Sequence, residues 1–280
     1  MPLPTPLVDA ATLRALLASP SAPVVVDISF DLADPALGER QYAEAHVEGA
    51  RYLHLERDLS GARTGRNGRH PLPARDAFAR TVGALGIGPS TAVVVYDRQG
   101  AMYAARAWWM LRWLGHDDVA VLDGGLDAWR AAGGTLASGA PPAPRPGATP
   151  CPAGEPRVAT IDADTLARRL GAVRLVDARA PERYRGEVEP LDAKAGHIPG
   201  AVNRFFKDNL GADGRFKPAA RLRDELGALA APVVVHQCGS GVTACHNLLA
   251  FEVAGLGSGT LYPGSWSEWS ADPSRPVAVG

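Results

Sequence analysis

The chain has three thiols that could act as nucleophiles, Cys151, Cys238 and Cys245. Only Cys238 stands where a thiol can be presented for reaction. It lies in the run VVVHQCGSGVTACHNLLA, residues 233–250, where a β-branched segment leads to the cysteine and a glycine-rich stretch leads into a helical pattern. Val233 to Val235 predict a buried strand, Gly239 and Gly241 supply freedom for a tight loop, and Thr243 is placed to cap the helix that follows. A loop of Cys238, Gly239, Ser240, Gly241, Val242 and Thr243 curled in this way turns successive N–H groups toward the sulfur at a helix N-terminus. Both features favour a thiolate, and so predict a nucleophile near neutral pH. Cys151 sits between two prolines and is expected in exposed chain, as a structural or incidental thiol rather than a catalytic one. Cys245 and His246 are adjacent on the predicted helix and diverge, and no other Cys or His pair has ligand spacing, so a zinc site is not expected.

The elements that must hold this loop come from a chain of 280 residues, long enough for two domains with separate cores. Lys plus Arg number 29 against 30 Asp plus Glu, a balance that offers no field for nucleic acid or an anionic membrane surface and points to a small partner. Three cysteines cannot build a disulfide framework, and a catalytic thiolate favours a reducing compartment. The start MPLPTPLVDAATLRALL lacks a basic, continuously apolar leader, and no apolar run has membrane-spanning length, so a cytoplasmic location is expected.

Internal similarity is the second strong signal. VVVDIS with Asp27 answers RLVDAR with Asp177, AHVEGA with Gly49 answers HIPGA with Gly200, VVVYD ending at Asp97 answers VVVHQC ending at Cys238, and LDGGLDAW ending at Trp129 answers YPGSWSEW ending at Trp269. Four landmarks in one order at separations of 150, 151, 141 and 140 residues predict a duplicated chain. The expected division is a first domain over 1–137, a Pro/Gly/Ala-rich linker over 138–157 and a second domain over 158–280. Each half alternates short β-branched strands with amphipathic stretches such as Thr165 to Leu170 and Arg221 to Leu229. This predicts an α/β fold of two tandem domains, each a parallel sheet flanked by helices. Ligands bind such sheets beyond the carboxyl ends of the strands, where Cys238 falls. Trp108, Trp109 and Trp113 at helical spacing, and Trp266 and Trp269, are expected to pack rather than bind ligand.

Two tandem units with HIPGA at 197–201, CGSGVT at 238–243 and GSWSEW at 264–269 resemble the two-domain rhodanese sulfurtransferases, and the resemblance spans roughly residues 9 to 275. It implies a catalytic second domain and a silent first copy. Asp97 fits that picture, since an aspartate in the cysteine position cannot carry a sulfane sulfur. The implied chemistry is ping-pong transfer: Cys238 takes sulfur from a small anionic donor as a persulfide and passes it to cyanide, a small thiol or a thioredoxin-like acceptor, with no metal or organic cofactor. A neutral CGSGVT loop is similar to that of 3-mercaptopyruvate enzymes, which makes 3-mercaptopyruvate the first donor and thiosulfate the second, with Ser240 assisting proton transfer.

By the same resemblance Arg183 in its R-aromatic-x-G pattern binds the donor with help from Arg185, and His70 reaches the cysteine pocket with Glu56 or Asp58 as acidic partner. Arg179, in a D-x-R pattern, is assigned to a structural ion pair with Asp177. Leu191 stands where many mercaptopyruvate enzymes carry a second donor-binding arginine. Arg66 and Arg69 lie in a glycine-rich stretch, either as positive potential over the pocket or as solvated charges. A phosphatase of related fold needs an arginine six residues after the cysteine, and that position is Ala244. A non-catalytic sulfur-carrier or binding module is the remaining alternative, and an intact Cys238 argues against it.

Overall fold

The computed structural model describes residue 3 and residues 6–141 and 151–280. Residues 142–150 of the expected linker therefore lie outside the described residues. The chain forms two compact units, one made of Met1–Ser60, Pro73–Arg157 and Asp213–Arg215, the other of Gly61–Leu72, Val158–Ala212 and Phe216–Gly280. Segment 61–72, which the sequence places in the first half, thus packs with the second.

In the first unit the elements run β1 (Leu7–Val8), α1 (Ala10–Leu17), β2 (Val24–Asp27), α2 (Leu37–Glu44), β3 (His46–Val47), β4 (Arg51–Tyr52), α3 (Leu55–Asp58), α4 (Arg75–Ala84), β5 (Val93–Tyr96), α5 (Ala104–Leu114), β6 (Val119–Leu122), α6 (Gly125–Ala131) and β7 (Leu136–Ala137). Five of these strands make a parallel sheet in the order β1-β6-β5-β2-β4, while β3 and β7 pair antiparallel beside it. The second unit continues with β8 (Ala159–Thr160), α7 (Ala163–Arg168), β9 (Arg174–Asp177), α8 (Pro181–Tyr184), β10 (Ala201–Asn203), α9 (Ala219–Leu226), β11 (Val234–Gln237), α10 (Thr243–Val253), β12 (Thr260–Leu261) and α11 (Ser265–Trp269). Its parallel sheet has the order β10-β9-β11-β12-β8. With β2 matched to β9, β4 to β10, β5 to β11, β6 to β12 and β1 to β8, the two orders are the same.

Local chemistry explains why these segments fold alike. The central strands VVVY (β5) and VVHQ (β11) are buried on both faces, as parallel strands sandwiched by helices must be, and their β-branched residues suit the pleat. Each fully buried aliphatic side chain of this kind contributes about 1.5–3 kcal/mol. Helices α1 and α7 start on equivalent aspartates: Asp9 accepts the Thr12 N–H at 2.6 Å, and Asp162 accepts the Thr165 N–H at 2.7 Å. Helices α5 and α10 follow the two central strands and are buried over long consecutive runs, Ala104 to Leu111 and Ala244 to Phe251. A helix buried on every side, even with polar residues such as Arg106, His246 and Asn247 inside it, is held within a layer, so the loop that precedes it has a rigid base.

Two expectations are corrected. Cys151 is buried, not exposed: its N–H donates to the Ala79 carbonyl at 3.1 Å, and burial pushes its thiol above the ordinary value. The flanking prolines signalled irregular backbone, and irregular backbone can still be covered by packing. Thr243 does not cap α10; Val242 holds the cap position without a side-chain bond and Thr243 is already helical, because the loop completes its turn one residue earlier.

Candidate active site

Cys238 follows β11, the middle strand of the second sheet, and is itself buried. Five residues, Cys238 to Val242, carry the chain into α10. Gly241 has φ +77°, and a Cβ there would lie 2.3 Å from the Pro263 carbonyl oxygen, so conformation and space both demand glycine. The start of α11 anchors the loop from outside. Trp266 N–H donates to the Cys238 carbonyl and Ser267 N–H to the Gly239 carbonyl, each at 2.9 Å. Ser265, a non-glycine residue at φ +53°, accepts the Cys238 N–H on Oγ at 3.1 Å and donates to the Tyr262 carbonyl at 2.9 Å. From inside, Cys245 Sγ donates to the Gly241 carbonyl at 3.4 Å. Trp266 and Trp269 pin this turn, their Nε1 groups donating to Lys194 and Pro276 carbonyls at 2.9 and 2.8 Å.

Segment 61–72 brings the polar groups. His70 Nδ1 lies 2.7 Å from Ser240 Oγ, with both residues buried and Ser240 two positions from Cys238. A proton can pass along this pair in either direction, according to the tautomer of the ring. Next to it the Arg69 N–H donates to Ser267 Oγ at 3.0 Å. The guanidiniums of Arg69 and Arg183 converge on Gly239: a Cβ built there would sit 2.9 Å from Arg69 Nη2 and 3.5 Å from Arg183 Nη1. Asp192 bridges the two arginines, pairing with Arg69 Nη1 through Oδ1 and with Arg183 Nη2 through Oδ2 at 3.3 Å. Glu189 Oε1 accepts from Arg183 Nη2 at 2.6 Å. Burial pushes the Asp192 carboxyl up, against the pull of Arg69 and the other arginines.

Other expected residues are placed differently. Arg185 is turned to solvent in a two-bonded pair with Glu187, at 2.7 and 2.9 Å. Leu191 is exposed. Arg66 is exposed on the 61–72 segment. Glu56 and Asp58 belong to α3 of the first unit, where Asp58 Oδ2 accepts the His54 N–H at 2.7 Å. Arg179 makes the expected ion pair with Asp177, Nη2 to Oδ2 at 2.7 Å, and lies over the Trp266 ring. Ser265, Asp192 and Glu189 were not singled out from sequence. The acid-rich run EVEPLD was a signal for the last two, and the duplication was one for Ser265, since the first copy has glycine at the equivalent Gly125.

The equivalent loop of the first unit shows what such a turn can cradle. Asp97 is buried, and its carboxylate accepts four backbone N–H groups: Gln99 and Ala101 on Oδ1 at 2.9 and 2.8 Å, Tyr103 and Ala104 on Oδ2 at 2.8 and 2.9 Å. Burial pushes this carboxyl up, and the four donors pull against it. Among the described residues no group of three or more His, Cys, Asp or Glu side chains is arranged to hold a metal ion, and no helix is long and apolar enough to cross a membrane.

Comparison with known proteins agrees with this geometry. A family model described as a rhodanese-like domain matches twice, over residues 9–132 and 162–272. A probable 3-mercaptopyruvate sulfurtransferase of Pseudomonas aeruginosa is 50% identical over 283 residues, 98% of each chain. A putative thiosulfate sulfurtransferase of Mycobacterium tuberculosis is 40% identical, covering 98% of this chain and 97% of its own. Among solved structures, a 3-mercaptopyruvate sulfurtransferase from Leishmania major superposes with a TM-score of 0.79 at 32% identity, over 95% of this chain and 74% of that one.

Proposed function

The chain belongs to the tandem rhodanese family of sulfurtransferases, and on that footing we propose that it moves sulfur from 3-mercaptopyruvate to a thiol or cyanide acceptor through a persulfide on Cys238. The observation that carries the donor assignment is the 2.7 Å pair of His70 Nδ1 and Ser240 Oγ, two residues from the nucleophile. When the Cys238 thiolate attacks the donor sulfur, an S–S bond forms and the C–S bond breaks. Its electron pair leaves on the enolate of pyruvate. That carbanion equivalent needs a proton, and Ser240, relayed by His70, is placed to supply it; positioned proton transfer of this kind is worth about 10²- to 10⁴-fold. The acceptor then attacks the outer sulfur and restores the thiolate, which completes a ping-pong cycle.

The loop geometry supports the anionic intermediate. The first copy holds a carboxyl on four backbone amides at the position that follows the equivalent strand, and the shorter turn after Cys238 is read as a related cradle whose amides would solvate the sulfur anion. Arg183 lies against Gly239 and would hold the donor anion. Thiosulfate is the second donor. It is supported by the same cations, which suit a dianion that needs no protonated leaving carbon, and by the thiosulfate assignment of the Mycobacterium tuberculosis relative.

Intact-chain mass spectrometry after treatment with 3-mercaptopyruvate tests the nucleophile. The expected gain is one sulfur atom, absent from Cys238→Ser; a gain that persists in that variant would place the persulfide elsewhere. Steady-state transfer to cyanide then tests the donor. A kcat/KM preference for 3-mercaptopyruvate of about tenfold, about 1.4 kcal/mol in transition-state binding, is expected, and the reverse preference would make this a thiosulfate enzyme.

A further inference from the structure

An α-keto carboxylate presents two oxygens to a planar fork, and a single arginine fixes one edge of it. Arg183 supplies one guanidinium beside Gly239. The position after Pro190 supplies none, since Leu191 is apolar and 47% exposed. Yet a second guanidinium is present at the same place, reached from a segment more than a hundred residues earlier in the chain. Arg69 Nη2 comes as near to Gly239 as Arg183 does.

We propose that Arg69 is the second donor-binding arginine of this site, so that Arg69 and Arg183 together hold the carboxylate of the sulfur donor over Gly239. The inference rests on the 3-mercaptopyruvate reading of the site. Three observations carry it. The absence of a side chain at Gly239 leaves the space between the two cations clear: even a methyl group there would press to 2.9 Å on Arg69 Nη2. The Nε atoms of Arg69 and Arg183 are both buried without a hydrogen-bond acceptor, so the carboxylates of the protein leave the donor set of each guanidinium unfilled. Asp192 spans the pair, one oxygen to each arginine, and so fixes the distance between the two forks before any ligand arrives. The Arg69 backbone is itself tied to Ser267, whose own N–H holds the Gly239 carbonyl, which couples the position of this cation to the nucleophile loop.

Asp192 and Glu189 do not defeat the site by neutralising it. Each occupies only part of an arginine's donor set, and a ligand carboxylate competes for the remainder without displacing either. The arrangement selects a carboxylate over a neutral donor, because two cations partly committed to fixed anions bind a further planar anion by directed hydrogen bonds rather than by net charge.

The test uses the full chain with Arg69→Gln, Arg69→Lys and Arg183→Gln. KM for 3-mercaptopyruvate is expected to rise roughly 10- to 100-fold in Arg69→Gln, with kcat little changed, and to rise less in Arg69→Lys, which keeps the charge and loses the fork. An independent readout needs no sulfur transfer: the rate of Cys238 alkylation by iodoacetate, a carboxylate, divided by the rate with neutral iodoacetamide. This ratio is expected to fall about tenfold in both Gln variants, and the iodoacetamide rate reports that the loop is intact. An unchanged ratio and KM in Arg69→Gln, with both altered in Arg183→Gln, would overturn the proposal. A fallen ratio in a chain that never gains sulfur would leave Arg69 in the anion site and overturn the donor assignment instead.

Discussion

Asp97 and Cys238 end equivalent central strands of two sheets with the same order, and the turns that follow them differ in length and in what fills them. Seven residues separate β5 from α5, whereas five separate β11 from α10. In the longer turn the Asp97 carboxylate occupies four backbone amides by itself. In the shorter one a sulfur atom, with no oxygens of its own, takes the place of that carboxylate, and an imidazole, a hydroxyl and two guanidiniums gather around the loop. The scaffolds barely differ. His46 stacks on Tyr42 and His197 on Tyr184, each pair at 3.9 Å, and the two imidazoles belong to equivalent antiparallel pairings, with Ala137 and with Ala278. The comparison teaches that one scaffold supports two fillings of the turn after its central strand: a carboxyl tied to the backbone in the first unit, and a cysteine ringed by side chains from other segments in the second.

Removing that carboxylate should break the comparison most. Asp97→Ala leaves four N–H groups, three of them buried, without their acceptor, at about 1–3 kcal/mol for each buried one, and partial hydration should limit the loss to about 3–5 kcal/mol. Urea unfolding measures this, and Cys238 should still gain sulfur in the folded protein; a loss under about 1 kcal/mol would mean the four bonds are incidental. The next contrast lies two residues earlier, where β5 has Val95 and β11 has His236. Burial holds His236 down to about 3, so the folded state keeps it neutral while the unfolded chain takes up a proton below about 6.5. Stability should therefore fall as pH drops from about 6.5 toward 3, by about 1.4 kcal/mol per unit at most. His236→Val should flatten that part of the acid-unfolding curve, and an identical curve would show that the imidazole is not what titrates. The smallest effect should come from Ser265→Gly, which installs the residue of the first copy. Relief of a non-glycine positive φ, about 1–2 kcal/mol, is offset by the buried Cys238 amide left without its acceptor, about 1–3 kcal/mol. The urea midpoint should therefore move little while kcat falls a few-fold at constant KM. An unchanged kcat would reduce Ser265 to scaffolding.

Much of this was legible in the residues. The β-branched runs before Asp97 and Cys238 declared two central parallel strands, because a strand covered on both faces cannot alternate polar and apolar side chains. The paired landmarks declared the duplication, and the glycines around Ser240 declared a tight turn ahead of a helix. The Asp177–Arg179 pair and the packed Trp266 and Trp269 were likewise read from local spacing and found in contact. The misplacements share one cause. Cys151 looked exposed because its prolines describe the backbone, and what covers a backbone is decided by residues far away. Arg185 looked close to the donor because it lies two residues after Arg183, but residues two apart at a helix end do not face each other, and its guanidinium pairs with Glu187.

What the sequence determined by itself is therefore what local pattern and its repetition carry: strand and helix periodicity, the tight turn that follows Cys238, and the repeat that makes one half a copy of the other. The tertiary structure alone decided which charges distant in sequence meet. Residue 69, residues 183 and 192, and residue 239 come from three separate parts of the chain, and segment 61–72 packs with the second unit although its sequence lies within the first half. No periodicity encodes such a meeting, because hydrophobic patterning fixes the face an element buries, while the approach of one guanidinium to another depends on loop paths and on the buried carboxylate that holds the pair together.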